Sequence, residues 1–227
     1  MKFRKLHRWD LTPREAITLQ KKLVRRLKLT RPPPKRIELV AGADASYNRF
    51  SPIICASVVV WRPATDEIVE TADAVLETRF PYVPGLLSFR EAPALLAAFA
   101  LLRTRPDVIL VDGHGFSHPR RFGIASHLGL WLKQPTVGCA KTRLCGEYKE
   151  PSASRGSTSP LTHNEEVVGR VVRTKRGTRP LFISSGNMVD LESAVRIVLA
   201  TTRGRRLPMP SLLAHAASNS LRRQQPS

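Results

Sequence analysis

The sequence predicts an α/β protein with a mixed central sheet, in which an antiparallel meander joins parallel strands and helices cover both faces. Three β-rich segments with short links follow one another between residues 36 and 77, which is typical of a meander. The nearly all-apolar run PDVILV, residues 106–111, indicates a central strand covered on both faces. Helical and strand patterns alternate after it, so parallel neighbours are expected.

The first element is a basic helix, expected over about residues 12–29. Thr12 and Glu15 have the spacing of a capping box, and Pro13 suits the first helical position. The apolar face of this helix consists of Ala16, Leu19, Leu23 and Leu27. The proline-rich segment TRPPPKR then ends the helix and forms a stiff linker.

The meander is formed by RIELVAGADASY, ICASVVVWR and EIVETADAVLE, and the turn residues PATD separate its last two strands. The segment SFREAPALLAAFALLR follows as a mostly buried helix. Beyond the central strand, FGIASHLGLWL predicts another helix and PTVGCA another short strand. This alternation is what a sheet with crossover helices requires.

The last third of the chain is predicted to contain a loop, a strand pair and two helices. Residues 146–165 are rich in Ser, Pro, Gly and Thr and indicate a loop. EEVVGRVVRT and PLFISSG predict a second small strand pair, and DLESAVRIVLATT predicts a helix that begins at Asp190. PSLLAHAASNSLRR is a final amphipathic helix, and a disordered tail is expected over about residues 220–227. No clear interdomain linker interrupts the pattern, so we expect a single domain over residues 1–227.

The charge is strongly one-sided. Lysine and arginine total 37 against 18 acidic residues, which gives a net charge of +19 and a pI near 11.1. Residues 1–36 hold 13 of the basic residues but only Asp10 and Glu15, so this segment carries eleven of the nineteen net charges. Such an excess indicates nucleic acid as the first candidate partner and an anionic membrane surface as the second. A solubilising face without a partner is the third reading.

The cysteines and the hydropathy indicate where the protein resides. Cys55, Cys139 and Cys145 show no C-x-x-C spacing, which is typical of a reduced intracellular protein. No apolar run approaches the roughly 18–20 residues that span a bilayer. The basic N-terminus lacks the apolar core of a signal peptide. We therefore expect a cytoplasmic protein that does not act on membranes.

Two familiar sites are not supported. His114 and His118 stand four apart, but the glutamate of H-E-x-x-H is missing, and Gly115 and Pro119 disfavour a helix there, so zinc is not expected. The stretch GHGFSHPRRFG lacks the G-K-[ST] ending of a phosphate-binding P-loop.

Two aspartates stand at the ends of predicted strands. Asp44 lies within or just past the first strand, and Asp112 ends the most apolar one. A carboxylate there is costly to desolvate unless it is paired or binds a metal. If the two strands are neighbours, the carboxylates meet at one sheet edge and suit Mg²⁺, which takes oxygen ligands. A turn aspartate at Asp112 and a strand-end cap at Asp44 are the alternatives.

Glu91 has two interpretations. Ser88 and Glu91 have the S-x-x-E spacing of a capping box, so Glu91 could serve only to cap a helix. A catalytic carboxylate at the start of a helix is the other interpretation, because the helix dipole favours negative charge there.

Glycines and arginines follow the central strand. Gly113, Gly115 and Gly123 would let the backbone approach a ligand closely, as a base pocket walled by backbone requires. Arg120 and Arg121 lie between these glycines and are expected to hold phosphates. Ordinary turn chemistry is the alternative.

Six segments stand out in order along the chain: AGADASY, PYVPGLLSFRE, VDGHGFSHPRRFGIASHLG, GCAKTRL, PLFISSGNMVDLESA and LPMPSLLAH. Together they resemble the endonuclease V family, the deoxyinosine 3′-endonucleases, over about residues 10–219. The second and third segments are long and unusual in combination, which makes the resemblance specific. It implies a ribonuclease H-like fold, in agreement with the predicted strand order.

The resemblance also implies a function, a metal-dependent DNA repair endonuclease that uses Mg²⁺, for which Mn²⁺ can substitute. Such enzymes cut the second phosphodiester bond on the 3′ side of deoxyinosine in DNA and leave the altered base in place, and some members act on inosine in RNA. By the resemblance, Asp44 and Asp112 bind the metal. The residues that it implies to be catalytic are Glu91, Lys141 and His215. We expect a monomer.

Tyr82, in the segment P-Y-V-P, matches the wedge tyrosine of the family's P-Y-I-P segment. Pro81 and Pro84 limit the backbone around it, so the ring can be presented at low entropic cost. The expected nucleic-acid-binding residues are Tyr82, Pro81, Pro84, Gly85, Leu87, Gly113, His118, Arg120, Arg121, Gly123 and Ile124.

Two other functions stay open. A non-catalytic, basic nucleic-acid-binding protein would use its carboxylates for structure only, and nicking that depends on Mg²⁺ would distinguish an enzyme from it. Another ribonuclease H-like nuclease, such as a junction resolvase or an RNA-cutting relative, would differ in the substrates that it cuts.

Overall fold

The computed structural model describes residues 1–30, 32–34, 36–48 and 51–225. Within these ranges the helices are α1 (Pro13–Leu23), α2 (Leu87–Leu101), α3 (Ile124–Leu132), α4 (Leu191–Thr201) and α5 (Met209–Arg223). The strands are β1 (Val40–Ser46), β2 (Ile53–Arg62), β3 (Glu67–Glu77), β4 (Val108–Val111), β5 (Thr136–Ala140), β6 (Thr158–His163), β7 (Glu166–Val172) and β8 (Leu181–Asn187).

All of these strands belong to one sheet, in the order β3-β2-β1-β4-β5-β8-β7-β6. The first three strands pair antiparallel, which confirms the predicted meander. β4 pairs parallel with β1, and β5 pairs parallel with β4. β8 and β7 continue the sheet antiparallel, so the predicted second strand pair is part of the same sheet.

The central strand β4 faces two hydrophobic cores. Ile109 and Val111 point into a core that α2 and α3 cover. Val108 and Leu110 point into the opposite core, which α4 covers. Alternate side chains of a strand lie on opposite faces, and burial of both faces explains why PDVILV is almost entirely apolar. The predicted mixed sheet with helices on both faces is therefore confirmed.

Local signals at the helix ends agree with the structure at two places and disagree at a third. Thr12 and Glu15 form the expected capping box, and the side chain of Asp190 accepts a hydrogen bond from the Ser193 backbone at the start of α4. Ser88 and Glu91, however, form no capping box, because α2 already begins at Leu87 and both residues lie inside it. Oγ of Ser88 instead lies 3.0 Å from Nδ1 of the buried His127 on α3.

Three boundaries differ from the predictions. α1 ends at Leu23 and continues only as a single 3₁₀ turn over Val24–Arg26, short of residue 29. The segment expected to be a loop contains β6, an edge strand whose Ser159 and Leu161 are buried while Pro160 faces out. Proline is tolerated on such an edge. α5 runs to Arg223, so the tail begins later than expected, and residues 226–227 lie outside the described ranges.

Among the residues that the structure describes, none of the helices has the length and hydropathy needed to cross a membrane.

Candidate active site

The two strand-end aspartates lie side by side. β1 and β4 are parallel neighbours with Ala43 opposite Val111, so the residues that follow, Asp44 and Asp112, meet at the same edge of the sheet. The Asp112 backbone N–H also donates to the carbonyl of Ala43 at 3.0 Å. One oxygen of each carboxylate and a ring nitrogen of His215 all lie within 4.8 Å of one another.

Helix α5 brings His215 to this edge. It packs directly on β1, where a Cβ on Gly42 would lie 2.0 Å from the carbonyl oxygen of Pro210, so only glycine permits the close approach. Nδ1 of His215 lies 3.1 Å from Oδ2 of Asp44, and the hydroxyl of Ser218 donates to the same oxygen at 2.5 Å. Two residues three apart share one face of a helix, so α5 presents both to Asp44.

Lys141 completes the edge. It directly follows β5, the parallel neighbour of β4, and its ammonium forms an ion pair with Asp112. Nζ of Lys141 also lies 3.4 Å from Nδ1 of His215. The lysine therefore places one positive charge against the carboxylates while about a third of its side chain stays exposed.

Two carboxyl groups at this edge, those of Asp44 and Glu91, have raised pKa values. Burial, and then the charge of Asp112, raise the pKa of Asp44 to about 6, although the hydrogen bond from Ser218 acts in the opposite direction. Glu91 is buried on α2, and burial followed by the charges of Asp44 and Asp112 raises its pKa to about 8. Carboxylates held together at such cost are stabilised by a divalent cation. Their oxygen atoms are the donor type that Mg²⁺ and Mn²⁺ accept, so the residues present fit a hard metal ion.

A cavity of about 270 Å³ opens beside this cluster, with Gly113 and Thr142, the residues after Asp112 and Lys141, among its lining. Eight of the expected nucleic-acid-binding residues line it: Tyr82, Pro84, Gly85, Leu87, Gly113, His118, Gly123 and Ile124. The side chain of Tyr82 is 65% exposed, as a residue that contacts a partner at the rim can be. Pro81 is exposed and is not among the lining residues.

The cavity lies between the first residues of two helices. Leu87 begins α2 and Ile124 begins α3, and both line the wall. The first N–H groups of a helix have no partner within that helix. Those of Gly123 and Ala125 donate to loop carbonyls, so Leu87 and Ile124 are the candidate donors of the wall. The two helix dipoles favour an acceptor in the cavity.

Arg120 and Arg121 bind protein groups. Nη2 of Arg120 donates to the carbonyl of Gly85 at 2.7 Å. Arg121 forms an ion pair with Glu166, at 2.6 Å between Nε and Oε2, and donates to the carbonyl of His163 at 2.9 Å. These contacts hold the loops around the cavity, and the expectation that the two arginines hold phosphates stays a prediction.

Sequence reasoning missed two residues of the cluster. Ser218 follows His215 by three positions on a predicted amphipathic helix, so helical spacing could have found it. Tyr47 directly follows β1, and burial followed by the charge of Glu91 raises the pKa of its phenol to about 12. No sequence signal pairs it with Glu91, because the two belong to separate elements.

Comparisons with known proteins support the resemblance. A family model described as Endonuclease V matches residues 21–216. The endonuclease V of Dehalococcoides mccartyi is 49% identical over 221 residues, which covers 97% of this chain and 99% of that relative. The solved structure of endonuclease V from Streptomyces avermitilis is 41% identical with a TM-score of 0.90, covering 95% of both chains. An endonuclease V of Ciona intestinalis, in complex with a 23mer DNA containing an inosine followed by a ribo-adenosine, is 26% identical with a TM-score of 0.83, covering 94% of this chain and 99% of its own.

Proposed function

Because this chain belongs to the endonuclease V family, we propose that it is a metal-dependent endonuclease that nicks DNA containing deoxyinosine. The proposed cut lies at the second phosphodiester bond on the 3′ side of the lesion and leaves the altered base in place. The observation that carries the proposal is the cluster of Asp44, Asp112 and His215 beside a cavity whose lining includes Gly113, the residue after Asp112. The net charge of +19 suits a polyanionic substrate.

Asp44 and Asp112 would hold Mg²⁺, with Glu91 as the third acidic group. A bound Mg²⁺ supplies an activated water and offsets the charge that develops on the phosphate. His215 and Ser218 orient the carboxylate of Asp44 by their hydrogen bonds. Lys141 would contact the scissile phosphate, and the position of its partly exposed ammonium at the carboxylate cluster supports this role.

The cavity would receive the base after it has left the helical stack. Hypoxanthine carries a carbonyl where adenine carries an amine, so a wall of backbone N–H donors at Leu87 and Ile124 favours hypoxanthine. Extrusion of a base costs a few kcal/mol and least for a weak pair, which itself favours a lesion. Tyr82 would fill the gap in the stack, and base–aromatic stacking contributes about 1–3 kcal/mol.

Inosine in RNA is the second candidate substrate. The nucleic acid bound to the Ciona intestinalis relative carries a ribonucleotide directly after the inosine. Cleavage rates on matched inosine DNA and inosine RNA would establish which sugar this chain prefers.

The test is a nicking assay on a panel of labelled substrates: inosine DNA, inosine RNA, mismatches, flaps and junctions. We expect inosine DNA to be nicked with Mg²⁺ or Mn²⁺ and to stay intact with EDTA. Asp112→Asn should keep binding to inosine DNA and lose nicking. Binding without nicking by the unaltered protein would indicate a non-catalytic protein, and preferred cutting of flaps or junctions would indicate a different nuclease.

A further inference from the structure

Gln20 is a fully buried polar residue at the back of the base cavity. It lies on α1 between Ala16 and Leu23, the two other buried residues of that helix face. Its Nε2 donates to the carbonyl of Gly85 at 3.1 Å and to the carbonyl of Phe122 at 3.0 Å. Both acceptors line the cavity, whereas Gln20 itself does not.

The two acceptors occupy equivalent places on opposite walls. Gly85 precedes Leu87, the first residue of α2, by two positions. Phe122 precedes Ile124, the first residue of α3, by two positions. One amide group therefore connects the two segments that lead into these helices.

The carbonyl of Gly85 is held from three sides. Besides Gln20, it is approached by Nη2 of Arg120 at 2.7 Å and by Nε2 of His118 at 3.0 Å. The His118 ring can donate there, because its Nδ1 accepts from the Arg120 backbone N–H at 3.1 Å, and burial lowers its pKa to about 4, which keeps it neutral. Oε1 of Gln20 in turn accepts from Nε of Arg120 at 2.5 Å. Gly85 itself has φ +77°, a conformation that glycine adopts without strain.

We infer that Gln20 is a positioning residue that sets the geometry of base recognition by holding the two walls of the cavity at a fixed distance. The inference rests on the proposed function, because the recognised base is the one that the endonuclease would extrude. Gln20 also lies just outside the segment, residues 21–216, that the family model matches. Hydrogen bonds from the walls to a base depend on where the donor groups lie, and a displacement of these groups by about 1 Å can lower the rate about 100-fold.

Two variants of Gln20 separate its hydrogen bonds from its volume. Gln20→Glu keeps the shape and the acceptor for Arg120, but its carboxylate cannot donate to the carbonyls of Gly85 and Phe122. Gln20→Leu removes the donors and the acceptor together. Leu23→Ala is the matched control, because it removes buried volume from the same helix face and breaks no bond to the cavity wall.

The assay compares kcat/KM on inosine DNA with the affinity for undamaged DNA of the same sequence. We expect Gln20→Glu to lower kcat/KM on inosine DNA about 10- to 100-fold and to leave the affinity for undamaged DNA unchanged. Leu23→Ala should lower Tm without changing the preference for inosine. The inference would be overturned if Gln20→Glu lowered the affinity for undamaged DNA by the same factor as kcat/KM on inosine DNA. It would also be overturned if Leu23→Ala lost the preference for inosine DNA.

Amide hydrogen exchange of the protein without nucleic acid gives a readout that does not depend on nicking. We expect faster exchange at Leu86, Gly123 and Ala125, whose N–H groups bond to loop carbonyls at the two helix starts, in Gln20→Glu and in Gln20→Leu, and unaltered exchange there in Leu23→Ala. Unchanged exchange in both Gln20 variants would refute the inference even if the enzyme nicks inosine DNA. If the unaltered protein nicks no inosine substrate, the proposed function fails, and exchange still decides whether Gln20 holds the walls.

Discussion

Nδ1 of His215 lies 3.1 Å from Oδ2 of Asp44, although 171 positions separate the two residues in the chain. The contact exists because α5 packs on β1, with Gly42 as the point of closest approach. Ser218 binds the same carboxylate oxygen from the next turn of α5. The last helix of the chain therefore positions a carboxylate of the first strand.

Loss of the Ser218 hydroxyl should weaken metal binding. Its hydrogen bond lowers the pKa of Asp44, so Ser218→Ala raises that pKa further above its usual value. Changes to groups that orient metal ligands typically cost about 10- to 100-fold in metal affinity or activity. We expect the Mg²⁺ concentration for half-maximal nicking to rise, and to rise more at pH 6.5 than at pH 8.5, in Mg²⁺ titrations at both values.

Ser211→Ala is the matched control for that experiment. Ser211 lies near the start of α5, and within the described residues its buried hydroxyl has no hydrogen-bond partner. Replacing such a hydroxyl should leave the Mg²⁺ requirement unchanged. An equal change in both variants would mean that Ser218 acts only through the packing of α5.

The raised pKa of Glu91 should make the stability of the metal-free protein depend on pH. The folded protein keeps a proton on Glu91 up to about pH 8, whereas the unfolded chain releases it near the usual 4.5. The contribution of this group to stability is therefore complete below about pH 4.5 and is lost as pH rises through 8. We expect Tm in EDTA to fall less over this range in Glu91→Gln than in the unaltered protein.

Mg²⁺ should reverse part of that loss. Metal binding requires deprotonated carboxylates, so added Mg²⁺ should raise Tm more at pH 8 than at pH 5.5. Groups other than Glu91 titrate both in the unaltered protein and in Glu91→Gln, so the difference in Tm between these two proteins in EDTA isolates the effect of Glu91. A difference in Tm that stays constant from pH 4.5 to 8 would contradict the assignment.

Replacing Tyr82 should lower the preference for inosine without lowering stability. The side chain is 65% exposed, so Tyr82→Ala removes little buried surface. Loss of a base–aromatic stack costs about 1–3 kcal/mol, and we expect kcat/KM on inosine DNA to fall by about 5- to 150-fold. Tyr82→Phe keeps the ring and serves as the control. The same loss of affinity for undamaged duplex DNA would argue against a wedge.

The basic face of α1 should contribute to substrate affinity. Two exposed cations, Lys21 and Lys22, lie on the helix that carries Gln20 to the cavity wall, and a third, Arg25, lies in the 3₁₀ turn that continues it. Each phosphate contact adds about 0.9 to the slope of log K against log salt concentration. We expect a variant with all three replaced by glutamine to bind DNA more weakly and with a shallower slope, measured by fluorescence anisotropy from low to high salt.

A second triple variant controls for net charge. Arg103, Arg105 and Lys133 are exposed and lie at the opposite edge of the sheet from Asp112, near the start of β4 and the end of α3. Replacing them changes the charge by the same amount, and we expect the slope to stay close to that of the unaltered protein. Equal slopes in the two variants would show that only the overall charge acts.

The sequence alone was sufficient for features that depend on local bonding. Thr12 and Glu15 cap α1 because their partners lie three residues apart, and the apolar run of β4 reflects burial on both faces. The sequence left the pairing of β1 with β4 open, and only the folded sheet makes the two strands neighbours and brings Asp44 and Asp112 together. The eight expected nucleic-acid-binding residues that line the cavity belong to two short motifs, and a motif is a local pattern that the sequence alone displays.

Tertiary structure decided the rest, because hydrogen bonds and desolvation depend on which distant groups pack together. Ser218 reaches Asp44 across 174 positions, and Gln20 reaches Phe122 across 102, so neither contact leaves a signal at short spacing. The Ser88 and Glu91 spacing matched a capping box, yet α2 begins two residues too early for it, and Glu91 became a buried carboxylate. Its raised pKa arises from burial and from two charges on other elements, and only the folded chain supplies both.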